Sequence, residues 1–445
     1  SAKVLGGAGT GKTVVAMHRA KHLASKCEGQ QRILVTTFTA NLAADIRENL
    51  RKICTLEELR RIEVIHLDAW VNQFLRESGF SAQIGYDDVI NPLWEKAVLS
   101  ANIDLPFETS FYEEEWNRIA IAQEALTLEK YVRATRNGRG TRLDRKKRMQ
   151  VWKVFENYQN LMKENQIRDI NTAMYESTKL LQSVGRKPRY ASIIIDEGQD
   201  FSDNAYRLIR ALAGEEHPND IFIVGDSHQR IYRNHPTLSK CGINVRGRSS
   251  ILKINYRTTE EIRKYAFALL NGISFDDLDE NSDLGDKCQS LTHGEKPIVE
   301  NFENANDEFD FLLHEVKKLK ENGISLTDIC VVARTKKLVD DYIALFTKAG
   351  ICAYVIKRNK VDDRSFDGLR VATMHRVKGL EFKYVFIVAA NSRIIPLPSA
   401  INKTDPVSEV ESVTSEKCLL YVAMTRAQKG VYITSYGRKS VFLKS

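Results

Sequence analysis

The sequence predicts an α/β protein of two parallel-sheet domains, with a helical accessory domain inserted into the first. Three observations carry that prediction. A glycine-rich loop, Gly6 to Thr13, lies between a short apolar run (Val4-Leu5) and a helix-period segment, Val14 to Leu23. Strand-like apolar runs alternate with helical patterns in residues 1–67 plus 190–250, and again in 251–445. From 68 to 189 the alternation stops, and helix-period segments rich in aromatics take over.

The loop Gly6-Gly7-Ala8-Gly9-Thr10-Gly11-Lys12-Thr13 has a glycine, four residues, then Gly-Lys-Thr, the pattern of a phosphate-binding loop. Its glycines let backbone N–H groups turn inward around a phosphate, and the helix that follows adds its N-terminal partial charge. Lys12 suits the β- and γ-phosphates and the Thr13 hydroxyl suits Mg²⁺. A nucleoside triphosphate with Mg²⁺ is the expected ligand.

Later strands deliver matching chemistry. Arg32 to Phe38 reads as a buried strand, followed by a helical stripe from Asn41 to Ile53, and Glu63 to Leu67 as a short strand carrying His66. Ala191 to Ile195 is fully apolar and ends in Asp196-Glu197-Gly198-Gln199-Asp200. ATP hydrolysis on a parallel sheet needs such an edge: one carboxylate for Mg²⁺ and a second to orient or deprotonate water. Ile221 to Gly225 then leads into Asp226-Ser227-His228-Gln229-Arg230-Ile231-Tyr232, and Ile251 to Ile254 into Asn255-Tyr256-Arg257. The stretch Phe275 to Asp286 is acidic and reads as an exposed connection. Beyond it, strands at Val299–Phe302, Ile329–Ala333, Ala353–Ile356, Leu369–Thr373, Tyr384–Ala390 and Val431–Ser435 alternate with helical patterns such as Glu416 to Ala427.

At 445 residues the chain is long for one core, and 43% hydrophobic with 28% charged residues is an ordinary globular composition. No run is apolar enough to span a bilayer and no signal peptide is evident, so no membrane partner is expected. Seven dispersed cysteines without a CxxC predict free thiols, no zinc site and a reducing, cytoplasmic setting. The net charge of +8 is uneven. Between Tyr131 and Gln150, Arg133, Arg136, Arg139, Arg142, Arg145, Lys146, Lys147 and Arg148 face one acid, Asp144. Gly138 and Gly140 interrupt any helix there, and arginines three apart would spiral round one, so a basic loop is expected rather than a basic face. It reads either as a polyanion contact or as a solvated loop.

Taken in order, these motifs resemble those of superfamily 1 helicases of the UvrD/Rep/PcrA type, and the match runs the length of the chain. The phosphate loop resembles motif I, Thr37-Phe38-Thr39 with Ala43-Ala44 motif Ia, Ile65-His66 motif Ib, and Asp196 to Asp200 motif II. Gly225-Asp226 with Gln229, Ile231 and Tyr232 resembles motif III, and Asn255-Tyr256-Arg257 motif IV. Thr373, His375 and Lys378-Gly379-Leu380-Glu381-Phe382 resemble motif V, and Leu420 to Ala427 motif VI. The resemblance implies two RecA-like motor domains and ATP as the nucleotide. It implies phosphate contacts from Lys12, Mg²⁺ ligation by Thr13 and Asp196, and Glu197 as general base. Gln229 would sense the γ-phosphate, Arg257 and Arg426 would be arginine fingers, Tyr256 would stack on adenine and Glu381 would reach the ribose. Phe38, Thr39, His66, Tyr232 and His375 would line a single-strand path.

The chain also departs from that family. It begins after the position of the family's glutamine motif, Ala40-Asn41 replaces an Asn-Lys, and Asn234 stands where a stacking Trp is usual. The link from Ile356 to Leu369 is short where relatives insert a large domain. The expected function is 3′→5′ translocation on single-stranded or partly duplex DNA with strand separation. The alternatives are an ATPase switch that senses nucleic acid for an upstream fused or partner effector, and an RNA remodeller.

Overall fold

The computed structural model describes residues 1–136, 139–183, 189–232, 236–278, 282–283 (backbone), 288–357 and 362–443. Gly138, Asn234 and residues 279–281 and 284–287 in and beside the acidic stretch lie outside the described residues, as does 358–361 of the short link.

The strands run in chain order as follows. β1 (Ala2–Gly6), β2 (Ile33–Thr36) and β3 (Ile62–Val64) open the first sheet. β4 (Gln83–Gly85) and β5 (Ile167–Asp169) form a small parallel pair. β6 (Ser192–Ile195), β7 (Ile221–Gly225) and β8 (Ser249–Leu252) complete the first sheet. It is parallel throughout in the order β3-β2-β6-β7-β1-β8. Short strands β9 (Ile254–Asn255), β10 (Phe275–Asp276), β11 (Ser282–Asp283) and β12 (Gln289–Ser290) pair as β9 with β12 and β10 with β11. The second sheet holds β13 (Ile298–Phe302), β14 (Ile329–Ala333), β15 (Ala353–Val355), β16 (Leu369–Thr373), β17 (Phe382–Ile387) and β18 (Ala427–Tyr436). It too is parallel, in the order β13-β18-β17-β14-β16-β15. Parallel strands buried on both faces need unbroken apolar runs, which is why Ile193-Ile194-Ile195 and Ile329 to Ala333 are fully buried.

The helical insert has its own core. Trp94, Trp116, Tyr131, Phe155 and Tyr158 are buried there, with Trp94 stacked on Tyr158 at 3.6 Å between ring centroids. These aromatics are packing, each contributing about 2–3 kcal/mol by burial. The helices Leu67–Glu77 and Ile170–Ser183 behave differently: Trp70, Phe74, Ala173 and Met174 pack into the first sheet's core. The insert's separate core therefore begins and ends near the β4–β5 pair.

Two expectations change. The stretch beginning at Phe275 is not an exposed connection in its described part. Phe275 and Leu278 are buried, Asp276 takes the Arg230 guanidinium and Asp277 takes the buried Lys3 ammonium, which docks this segment on the first domain. The basic stretch is neither a polyanion contact throughout nor a solvated loop. Arg136 and Arg139 are buried against Glu115 (2.6 and 3.1 Å), Arg139 also pairs with Glu114 (2.6 Å), and Arg148 donates to the carbonyls of Tyr131, Val132 and Ala134. A helix, Arg145–Glu164, starts inside the stretch because Asp144 caps it by accepting from the Lys147 N–H. Arg142, Arg145, Lys146 and Lys147 stay exposed.

Candidate functional site: a nucleotide cleft and an aromatic groove

The phosphate loop turns from β1 into the helix Lys12–Ala24. Gly9 lies at φ 75° with Asn255 pressed against it; a Cβ there would sit 2.2 Å from the Asn255 Oδ1. Only glycine fits this approach, and it brings the Asn255–Arg257 segment onto the loop. The Tyr256 N–H donates to the Gly9 carbonyl at 2.9 Å. Lys12 donates to the Gly6 and Gly7 carbonyls, both at 2.9 Å, with the Asp226 carboxylate 3.8 Å away. Burial alone would raise Asp226, but the ammonium of Lys12 and bonds from His228 and Gln229 hold it down at about 2.

The edge of β6 supplies the carboxylates. The Thr13 hydroxyl donates to Asp196 Oδ2 at 2.7 Å. Burial and the neighbouring Glu197 push Asp196 up to about 6. A hydroxyl and a carboxylate are hard oxygen donors, so this pair fits Mg²⁺. Glu197 has φ 56°, a left-handed conformation that costs an L-residue about 1 kcal/mol. It is held there by Asp196 Oδ1 accepting from its N–H and by Tyr206 donating to the Gly198 carbonyl. Burial would raise the Glu197 carboxyl, but Lys378, Lys12 and Arg426 outweigh it and keep it below its ordinary value. It remains a carboxylate able to accept a proton from water.

The second sheet contributes the cations. Lys378, buried, donates to the Gln229 carbonyl at 2.7 Å, pairs with Asp200 and lies 3.7 Å from Glu197. Arg426, buried at the end of the helix Pro406–Met424, donates to Gln229 Oε1 at 2.8 Å. Arg257 pairs with Glu381. Gly9 to Thr13, Glu197, Gln229, Arg257, Glu381 and Arg426 together line a cleft of about 420 Å³. Tyr256 is 62% exposed and borders an adjoining pocket with Thr292, His293 and Lys429.

A separate groove of about 450 Å³ lies between the helical insert and both sheets. Phe38, Tyr232 and His375 line it, with ring centroids 4.7 Å apart for Phe38–Tyr232 and 6.5 Å for Tyr232–His375. Thr39 and His66 are not among its lining residues. Thr39 instead caps the helix Ala40–Ile53, accepting from the Leu42 N–H at 3.3 Å, and His66 precedes the helix Leu67–Glu77. Sequence reasoning assigned no role to Lys378, Asp226 or Gln199. Gln199 joins the two carboxylate edges, donating to Glu197 and accepting from the Asp226 N–H. The signal was available: all three stand inside quoted motifs, Gln199 and Asp226 just past strand ends and Lys378 in the connection between β16 and β17.

The fold and the two sites define a two-domain nucleotide hydrolase in which cations from one sheet meet the phosphate loop of the other. Residues 1–235 match the UvrD/REP helicase N-terminal domain, and residues 250–366 and 358–438 match the UvrD-like helicase C-terminal domain; the chain belongs to the UvrD/REP helicase family. A probable DNA helicase of Mycoplasma pneumoniae is 25% identical over 98% of this chain and 81% of its own length. A probable DNA helicase II homolog of the same organism is 24% identical over 80% of this chain and 52% of its own. The ATP-dependent DNA helicase PcrA of Leuconostoc citreum is 25% identical over 75% of this chain and 44% of its own. The chain thus spans about half the length of the latter two relatives. Among the described residues no helix is long and apolar enough to cross a membrane.

Proposed function

We propose that this chain couples ATP hydrolysis to 3′→5′ movement along single-stranded DNA and separates duplex ahead of it. One observation carries the coupling: a single short segment runs from the cleft to the groove. Gln229 contacts Lys378 and Arg426 of the second sheet, and three residues later Tyr232 lies against Phe38 in the groove. A change in the γ-phosphate felt at Gln229 would therefore move an aromatic side chain that stacks on a base.

In this reading Lys12 and the loop N–H groups hold the phosphates, and Thr13 and Asp196 would hold Mg²⁺, whose chemistry there would be to offset phosphate charge. Glu197 takes the proton of the attacking water. Arg257 and Arg426 stabilise charge on the transferring phosphoryl group, which only a closed cleft allows. Tyr256 stacks on the adenine from its exposed position, and Glu381 bonds the ribose. The single strand crosses Phe38, Tyr232 and His375. The direction of travel and the preference for DNA rest on resemblance to the UvrD/Rep/PcrA type alone.

The test is steady-state ATP hydrolysis with and without single-stranded DNA or RNA, alongside Glu197→Gln. Stimulation by DNA that disappears in Glu197→Gln supports the coupling, and duplexes with 3′ or 5′ tails then read the direction. Hydrolysis indifferent to DNA would overturn it.

A further inference from the structure

We propose that the helical insert fences a single strand into the groove, and that a salt-bridged clasp between Arg118 and Glu411 governs how fast the strand enters and leaves. The proposal rests on the single-strand reading of that groove.

The clasp adjoins the groove's wall without lining the groove itself. Glu113 and Asn117 line the groove from the insert, while the next residue of each, Glu114 and Arg118, reaches the second domain. Arg118 makes a two-pronged contact with Glu411, at 2.8 and 3.4 Å. On the facing side Arg334 lines the groove and is held by Glu416 at 2.6 and 3.0 Å. Glu411 precedes Glu416 by five residues on the same helix, about one and a half turns, so one helix carries both the clasp and the partner of the groove-lining Arg334.

Further contacts tie the same edge. Asn402 donates to Glu114 at 3.3 Å, and the Thr141 hydroxyl to Asp405 at 3.4 Å. Gly140 packs so closely on Asp405 that a Cβ would lie 2.1 Å from its Oδ1. The buried Arg139–Glu115 pair stiffens the insert's side of the contact. A strand on Phe38, Tyr232 and His375 thus has motor domains beneath it and a joined wall beside it. The Arg118–Glu411 pair is itself partly exposed, at 23% and 21%. Such pairs are weak and screened by salt, so the Arg118–Glu411 pair is the part of this edge that opens most readily, while the contacts at Asn402 and Asp405 keep the insert in place.

A fence has a kinetic signature that a lost DNA contact lacks, because opening it speeds both entry and exit. The experiment follows binding and competitor-chased release of a fluorescent oligonucleotide by stopped flow, for the wild type, Arg118→Glu, Glu411→Arg and the charge-swapped double variant. Thermal midpoints check folding. Both single reversals should raise the release rate about tenfold and also raise the association rate, although they change net charge in opposite senses. The double variant should return both rates toward wild type. Faster release with unchanged or slower association in Arg118→Glu would overturn the fence, as would single reversals that alter neither rate. If the wild type fails to bind the oligonucleotide at all, the single-strand reading itself fails, a result distinct from either.

Discussion

The Gln229 side-chain carbonyl accepts a 2.8 Å hydrogen bond from the Arg426 guanidinium, joining the two sheets across the cleft. Gln229 turns its amide the other way, donating to Asp226 at 2.6 Å. Arg426 is therefore oriented by a neutral group, and its charge is left for the phosphates. Burial and the nearby Arg257 push it down to about 10, still above neutral pH, so it stays a cation.

That geometry predicts a large and specific loss. Arg426→Ala should lower kcat for DNA-stimulated ATP hydrolysis by about 10³-fold, the usual worth of an arginine finger. Arg426→Lys should recover little, because an ammonium lacks the planar fork that reaches Gln229 and a phosphate together. KM for ATP should change far less than kcat. Steady-state assays check this, and a kcat within tenfold of wild type for Arg426→Ala would remove the residue from the transition state.

The groove predicts a stacking loss. Phe38→Ala removes the ring 4.7 Å from Tyr232, and base–aromatic stacking is worth about 1–3 kcal/mol per base. Affinity for an oligonucleotide should fall about tenfold or more, measured by anisotropy at fixed salt. The salt slope should stay unchanged, because no phosphate contact is lost. A changed slope with intact affinity would place the strand elsewhere.

Why some of this was legible and some was not has a physical answer. Phosphate chemistry fixes residue types at fixed spacing, so Lys12, Thr13, Asp196 and Glu197 were readable, and both sheets announced themselves through buried strands such as β6 and β14. The left-handed turn at Glu197 is a tertiary constraint with no local sign. Arg136 and Arg139 looked like free charge because their partners, Glu114 and Glu115, lie more than twenty residues earlier in the chain. The helix of motif VI was read from Glu416, yet it starts at Pro406, where Asp405 caps two N–H groups and proline needs no donor. Thr39 shows the reverse case: a motif residue whose visible bond is a helix cap.

The buried Glu115 yields a stability prediction. Its carboxylate accepts from Arg136, Arg139 and the Tyr131 hydroxyl inside the insert. Glu115→Ala would leave the buried Arg136 guanidinium without a carboxylate and Arg139 with Glu114 alone, and should cost about 3 kcal/mol in urea unfolding. Arg142→Gln and Arg145→Gln, on exposed side chains, should stay within about 0.5 kcal/mol. Equal effects from the buried and exposed positions would contradict the assignment.

The last prediction concerns pH. Burial, with the positive charges of Arg334, Arg376 and Lys378, pushes His375 down to about 4 from its ordinary 6.5. His375 is therefore neutral in the groove at pH 7, fit to stack or hydrogen-bond a base and not to pair with a phosphate. As pH falls from 6.5 toward 4, the unfolded chain takes up a proton that the folded protein refuses, so this histidine removes stability across that window. Burial acts on His66 in the same direction. Asp200 opposes them: burial pushes it up to about 7 despite Lys378, so it favours the folded state as pH falls. The net slope thus mixes signs, and the informative quantity is the difference between wild type and His375→Gln, in which Asp200 and His66 largely cancel. Thermal midpoints from pH 7 to 4.5 should fall more steeply in wild type, with the curves converging above pH 6.5. Parallel curves would mean that His375 takes up its proton as readily folded as unfolded, and it would then gain charge in the groove as pH falls through its ordinary 6.5.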